Sequence, residues 1–350
     1  MLTLACMLLI VAFLGFIVIF IDRKGNTGSF FDLENTNCMR GFWCLVVLLV
    51  HIPVEYENSL QSMIGSFAYI GVTFFFMTSS YGLMLGAAKD IQKVKKEFWK
   101  RRLAKLLLPM FLVNLARVAA EAVCLKSFTW WKFFAITGFV RQILFFYFIF
   151  WIVVCILPEK ISFDVKCVIL CLAVLLFSII IYLWKTNGVF SWPVESFGFA
   201  YGVLLARKKE IFLKLSKKKS WIFAGLFMGL SLVLGFAYLK FKSIVFFGDY
   251  IVKAVLGIAI LGFILLLNTR ISIGNCVSRF LGKISYEVYL IHDVVFIILA
   301  AIPLVWNSGV FVLCSIIITV ILSFAVNKFS NLILSIPKKV MKREKKCLKS

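Results

Sequence analysis

Apolar runs of 17 to 25 residues recur from one end of the chain to the other, and that recurrence limits the fold more than any other feature. Each run can cross a hydrocarbon core about 30 Å thick. Lipid offers the backbone no hydrogen bonds, so a crossing segment must be a helix or a strand of a closed barrel. The runs lack the period-two alternation of a membrane barrel. The fold class expected is therefore all-α, a polytopic bundle of 10–11 transmembrane helices with no soluble domain. Spans are expected near 2–21, 41–56, 64–88, 103–124, 143–157, 164–184, 191–206, 220–239, 250–268, 284–302 and 309–327. The first reads as a retained span and not a signal peptide, because no basic segment precedes it and Arg23 and Lys24 follow it.

The net charge of +23 would suggest nucleic acid in a soluble protein, but its distribution points elsewhere. Of the 39 Lys and Arg, 31 fall in one alternating set of loops and the tail, six fall in the other set, and Arg117 and Lys253 lie within spans. Such asymmetry is the mark of cytoplasmic loops. It assigns the stretch 89–105 and the basic C-terminus to the cytoplasm and the N-terminus to the outside of a cytoplasmic (inner or plasma) membrane. Membrane lipids, with anionic headgroups against the basic loops, are the expected partners, and nucleic acid is not. Two histidines and ten scattered cysteines without a CxxC pair give no metal-ligand pattern, so no metal is expected.

Ionisable residues inside spans are costly to insert and mark candidate functional sites. Arg40 opens the second span and His51 follows eleven residues later. On a continuous helix eleven residues make three turns plus about 20°, so both side chains share one face, about 16 Å apart along the axis. Glu55, four residues beyond His51, is expected to share that face and to orient the imidazole. Pro53 is expected to bend the helix between them. His292, nine residues beyond Lys283 in another span running the same way, should sit at a similar depth. Arg117 and Glu121, spaced i and i+4, read as a self-neutralising pair.

Four segments in order carry a family resemblance. They are "MRGFWCLVVLLVH" (39–51), "GVTFFFMTSSYGLML" (71–85), "FWKRRLAKLLLP" (98–109) and "LGKISYEVYLIHDVV" (281–295). Together they resemble membrane acyltransferase family 3, which includes glycan O-acetyltransferases of bacterial envelopes. Ser80 stands where the family usually has Gly, and Lys105 where it has Arg. The resemblance covers about 36–336, with 1–35 as an additional span and loop and 337–350 as a basic tail.

The resemblance implies transfer of an acyl group, first of all acetyl, from cytoplasmic acyl-coenzyme A to a hydroxyl of a cell-surface or lipid-linked saccharide. Acyl-coenzyme A is then a co-substrate, and no tightly bound cofactor is expected. Histidine suits the general base such a reaction needs, which assigns His51, with Glu55, to catalysis. Arg40, Arg101, Arg102 and Lys105 are placed for donor phosphates, with plain topology as the competing account of the 101–102 pair. Ser79, Glu195, Ser285, Tyr286, Tyr289 and His292 are expected to shape the acceptor or acyl-passage cavity. A structural role for His292 stays open, and Ser79 reads as a packing residue in preference to a nucleophile. A transporter or flippase of lipid-linked sugars is the alternative, although no inverted repeat is visible.

Overall fold

Helices that satisfy their own backbones in lipid are held together by close packing and by a few buried polar contacts. The computed structural model describes residues 1–19, 31–184 and 190–347, with side chains through Ser335. Arg23, Lys24 and Lys185 lie outside the described residues. Among those described there are thirteen α-helices and no strand. They are α1 (Leu2–Ile19), α2 (Leu33–Leu49), α3 (Ser59–Gly65), α4 (Ala68–Lys89), α5 (Ile91–Cys124), α6 (Gly138–Phe150) and α7 (Phe163–Trp184). There follow α8 (Phe197–Leu213), α9 (Lys217–Phe241), α10 (Lys253–Asn268), α11 (Cys276–Lys283), α12 (Ser285–Ala300) and α13 (Ser308–Cys347). A π turn prolongs α6 through Ile156, and another, Phe247–Val252, leads into α10.

Eight of these segments are long and apolar enough to cross a membrane. The shorter α2, α8 and α12, of 16 or 17 residues, overlap the other three positions at which spans were expected. The boundaries shift in two instructive places. The second span runs over Leu33–Leu49 instead of 41–56. Asp32 caps its start, accepting from the Asn35 amide at 2.9 Å. Pro53 has no amide to continue the ladder at its end, and the Gln61 side chain takes the Leu49 carbonyl instead. The stretch 89–105 is largely helix and not loop. Asp90 caps α5 through the Lys93 amide at 2.9 Å, and the helix runs unbroken for 34 residues through Pro109.

At the centre lies α2, with twelve of its seventeen residues buried, packed against α4, α11 and α12. Gly41 lets α2 approach α11 so closely that a Cβ there would strike the Ser278 carbonyl. On the other side of α4, Gly202 of α8 does the same against the Met77 carbonyl. Meanwhile α1 lays Met7, Ile10, Leu14 and Ile17 inward and runs along α13, tied by Thr3 Oγ1 donating to Asn307 Oδ1 at 3.0 Å. Peripheral α9 rests chiefly on α10.

The approach of α2 and α11 also sets the depth of the functional residues. Gly41 lies beside Gly282, and from each the chain climbs ten residues in the same direction, to His51 and to His292. Equal climbs on parallel helices bring the two rings to one level.

Candidate functional site

The site is built on α2, α4, α5, α6 and α12 around a cavity of about 420 Å³. Arg40, Arg102 and Lys105 line its basic end, and Val47, Phe139 and Tyr289 line the other. Two aromatic rings steer the arginines. The Arg40 guanidinium carbon is 5.9 Å from the Phe75 centroid, and that of Arg102 is 5.6 Å from the Tyr147 centroid. Arg40 Nε is buried without a hydrogen-bond partner. A guanidinium that leaves a donor unused in a cavity suits an anionic visitor.

The hydroxyls of the cavity wall are occupied. Ser79 Oγ shares a 2.7 Å hydrogen bond with Tyr147 Oη, Tyr286 Oη donates to the Leu106 carbonyl at 2.7 Å, and Ser285 Oγ donates to the Gly282 carbonyl at 2.9 Å. A serine nucleophile needs a base on its hydroxyl; Ser79 has a phenol. Its place is structural, stitching α4 to α6.

One helical turn beyond Val47 and Tyr289 sit the two histidines, their ring centroids 4.8 Å apart. His292 is buried and His51 is exposed. His51 Nδ1 is 2.7 Å from the Val47 carbonyl oxygen. A carbonyl only accepts, so Nδ1 carries a proton, and in that tautomer of the neutral imidazole Nε2 is the nitrogen with a lone pair. The chain's two histidines, 241 positions apart, thus form one pair at the end of a cavity whose other end is basic.

With this geometry, residues 33–328 match the family model described as an acyltransferase domain. The chain belongs to this acyltransferase family. No curated protein and no solved structure matches it. The family match begins at the first turn of α2, so α1 precedes it.

The acyltransferase bundle brings together most of the residues singled out in the sequence and leaves three apart. Arg40, Arg102, Lys105, Ser79, Ser285, Tyr286 and Tyr289 line one cavity, with His51 and His292 just beyond it. Arg101 points aside, pairing with Glu97 and lining a neighbouring pocket of about 340 Å³ that shares Arg102 and Gly82 with the first. Glu55 is displaced. Because α2 ends at Leu49, Glu55 lies on a separate 3₁₀ turn, Val54–Tyr56, exposed and off the face of His51. The Val47 carbonyl does the orienting expected of it. Glu195 is buried outside the cavity, 3.4 Å from Lys253 Nζ, which itself stands over the Tyr69 ring at 4.8 Å. Sequence reasoning missed Tyr147 and Phe75, whose rings carry the arginines, and Asp293, whose carboxylate reaches His292. The only signal for Asp293 was its position directly after the histidine.

Proposed function

We propose that this membrane acyltransferase moves an acyl group, first of all acetyl, from cytoplasmic acyl-coenzyme A to a hydroxyl of a cell-surface or lipid-linked saccharide. The observation that carries the reading is the cavity with arginines at one end and a histidine base one turn beyond the other. Its basic end belongs to the side that the loop charges assign to the cytoplasm. Arg40 and Arg102 would hold donor phosphates, with Lys105 as a point charge and Arg101 at the adjoining pocket. The apolar and aromatic walls would then guide the acyl arm towards His51. His51 Nε2 would take the proton of the attacking hydroxyl, so that oxygen adds to the thioester carbonyl and the thiolate leaves. His292, Tyr289 and Tyr286 would bound the passage.

The test is transfer of labelled acetyl from acetyl-coenzyme A in membrane vesicles carrying wild type, Arg40→Ala or His51→Ala at matched abundance. The reading expects incorporation into saccharide by wild type and its loss in both variants. Full activity in His51→Ala would overturn the base assignment. Failure of wild type to consume any of several acyl-coenzyme A donors would overturn the donor class.

A further inference from the structure

Four charged side chains continue from the histidine pair, away from the cavity. Asp293 Oδ1 lies 3.2 Å from His292 Nε2. Its other oxygen is 3.8 Å from Arg117 Nη1. Arg117 Nε donates to Glu121 Oε1 at 3.2 Å, and Lys132 Nζ donates to Glu121 Oε2 at 2.7 Å. The i and i+4 pair of α5 is therefore not closed on itself but is the middle of a chain that ends on a histidine. Two carboxylates and two cations leave the chain without net charge.

His292 completes the picture. Its ring is buried, its Nδ1 is 3.3 Å from the Val288 carbonyl oxygen, and its Nε2 has no aligned hydrogen-bond partner. A carboxylate oxygen 3.2 Å from a ring nitrogen is favourable when that nitrogen carries a proton and repulsive when it offers a lone pair. His51 is held through Nδ1 by a carbonyl, which leaves Nε2 as the nitrogen free to accept in the neutral ring. The two rings thus differ in their neighbours: each faces a backbone carbonyl through Nδ1, and His292 alone has a carboxylate beside Nε2.

We propose that Asp293 is a positioning residue for the acyl transfer, acting through His292 so that the histidine pair can hold one transferred proton. The inference rests on the acyl-transfer reading above. As the acceptor oxygen bonds to the acyl carbon, its O–H bond breaks and the proton passes to His51 Nε2. The C–S bond breaks with its electron pair on sulfur, and the thiolate then takes that proton, returning the pair to its starting charge. In between, two rings with centroids 4.8 Å apart share one positive charge. The charged groups around the pair are Asp293 from α12, Arg117 and Glu121 from α5, and Lys132 from the turn after α5. Asp293 is the one that approaches a ring nitrogen, and Arg117, fixed in turn by Glu121, steadies its second oxygen.

The experiment measures kcat and KM for acetyl-coenzyme A in vesicles carrying their own saccharide acceptors, with wild type, Asp293→Asn, Asp293→Glu and His51→Ala at matched abundance. Asp293→Asn should lower kcat about 10- to 100-fold, the range typical for a carboxylate that orients a metal-bound histidine, and leave KM for the donor unchanged. Asp293→Glu should recover most of kcat, because it keeps the charge. Wild-type kcat in Asp293→Asn would overturn the proposal. So would a Glu variant no better than the Asn variant, since a purely structural role predicts no rescue by charge. If Asp293→Asn fails to accumulate, the Glu variant decides alone: it must keep at least a third of wild-type kcat at unchanged KM. His51→Ala separates the two levels. If it is inactive while Asp293→Asn is fully active, only this inference falls. If it is fully active, the assignment of His51 as base falls and takes this inference with it; if wild type turns over no donor, the acyl-coenzyme A reading falls as well.

Discussion

Two helices, α9 and α12, look alike as hydropathy runs and occupy opposite positions in the molecule. Both were expected as spans from apolar content alone. Only two of the 25 residues of α9 are buried, Ser220 and Ala224, both in its first third. Ten of the 16 residues of α12 are buried, including Glu287 and His292. The polar content explains the difference. A helix without ionisable groups in its middle can face lipid on almost every side. One that carries Glu287, His292 and Asp293 must turn them towards protein partners, and it finds them in Asn327 of α13 and Arg117 of α5. Hydropathy therefore identifies members of the bundle, while buried charge identifies its centre.

Substitutions can break this comparison or sharpen it. The largest effect is expected at the level where α2 and α12 meet. His51→Ala should lower kcat for acyl transfer by about 10²- to 10⁴-fold, the usual contribution of a general base, without loss of protein from the membrane. A second, smaller effect is expected at the basic end of the same helix. Arg40→Lys keeps the charge but loses the planar fork, so KM for acyl-coenzyme A should rise about tenfold with kcat little changed. A fall in kcat at constant KM would move Arg40 from donor binding to the chemical step.

Packing gives the third contrast. Gly202→Leu, which drives a side chain into the α4 backbone at Met77, should destabilise the bundle by about 1–3 kcal/mol, read as a lower unfolding midpoint in detergent. The smallest effect belongs to α9. A Cβ at Gly225 or Gly229 would meet nothing within 4 Å, so Gly225→Leu with Gly229→Leu should change stability by less than about 0.5 kcal/mol and leave turnover intact. A large loss there would mean that α9 packs against something besides lipid.

The shared depth of the histidines was legible because it follows from rise per residue, whereas the face shared by Arg40 and His51 was argued for a continuous helix, and α2 ends at Leu49. Glu55 was misread for a local reason. A helix bent at Pro53 but running on to Glu55 was expected, whereas the ladder ends at Leu49 and the Gln61 side chain takes over its last carbonyl. Asp293 escaped notice because adjacent residues on a helix point about 100° apart, and a partner at i+1 is not expected. Glu195 was expected at the cavity and lies outside it. Its neighbours Lys253 and Tyr69 belong to α10 and α4, and hydropathy carries no information on which helices touch.

What the amino-acid order determined by itself is what lipid and charge dictate locally: the all-helical class, the sidedness expected of the basic loops, and the short inventory of ionisable groups that must be accounted for. Each of those depends on segments of about twenty residues and on a solvent that tolerates few alternatives. The tertiary structure decided lateral placement: that α2 lies against α11 through Gly41 and packs on α12, that His51 meets His292, and that a charge pair on α5 reaches them through Asp293. Those choices turn on side-chain fit between helices far apart in the chain, where equally apolar surfaces compete and only shape and buried polarity separate them.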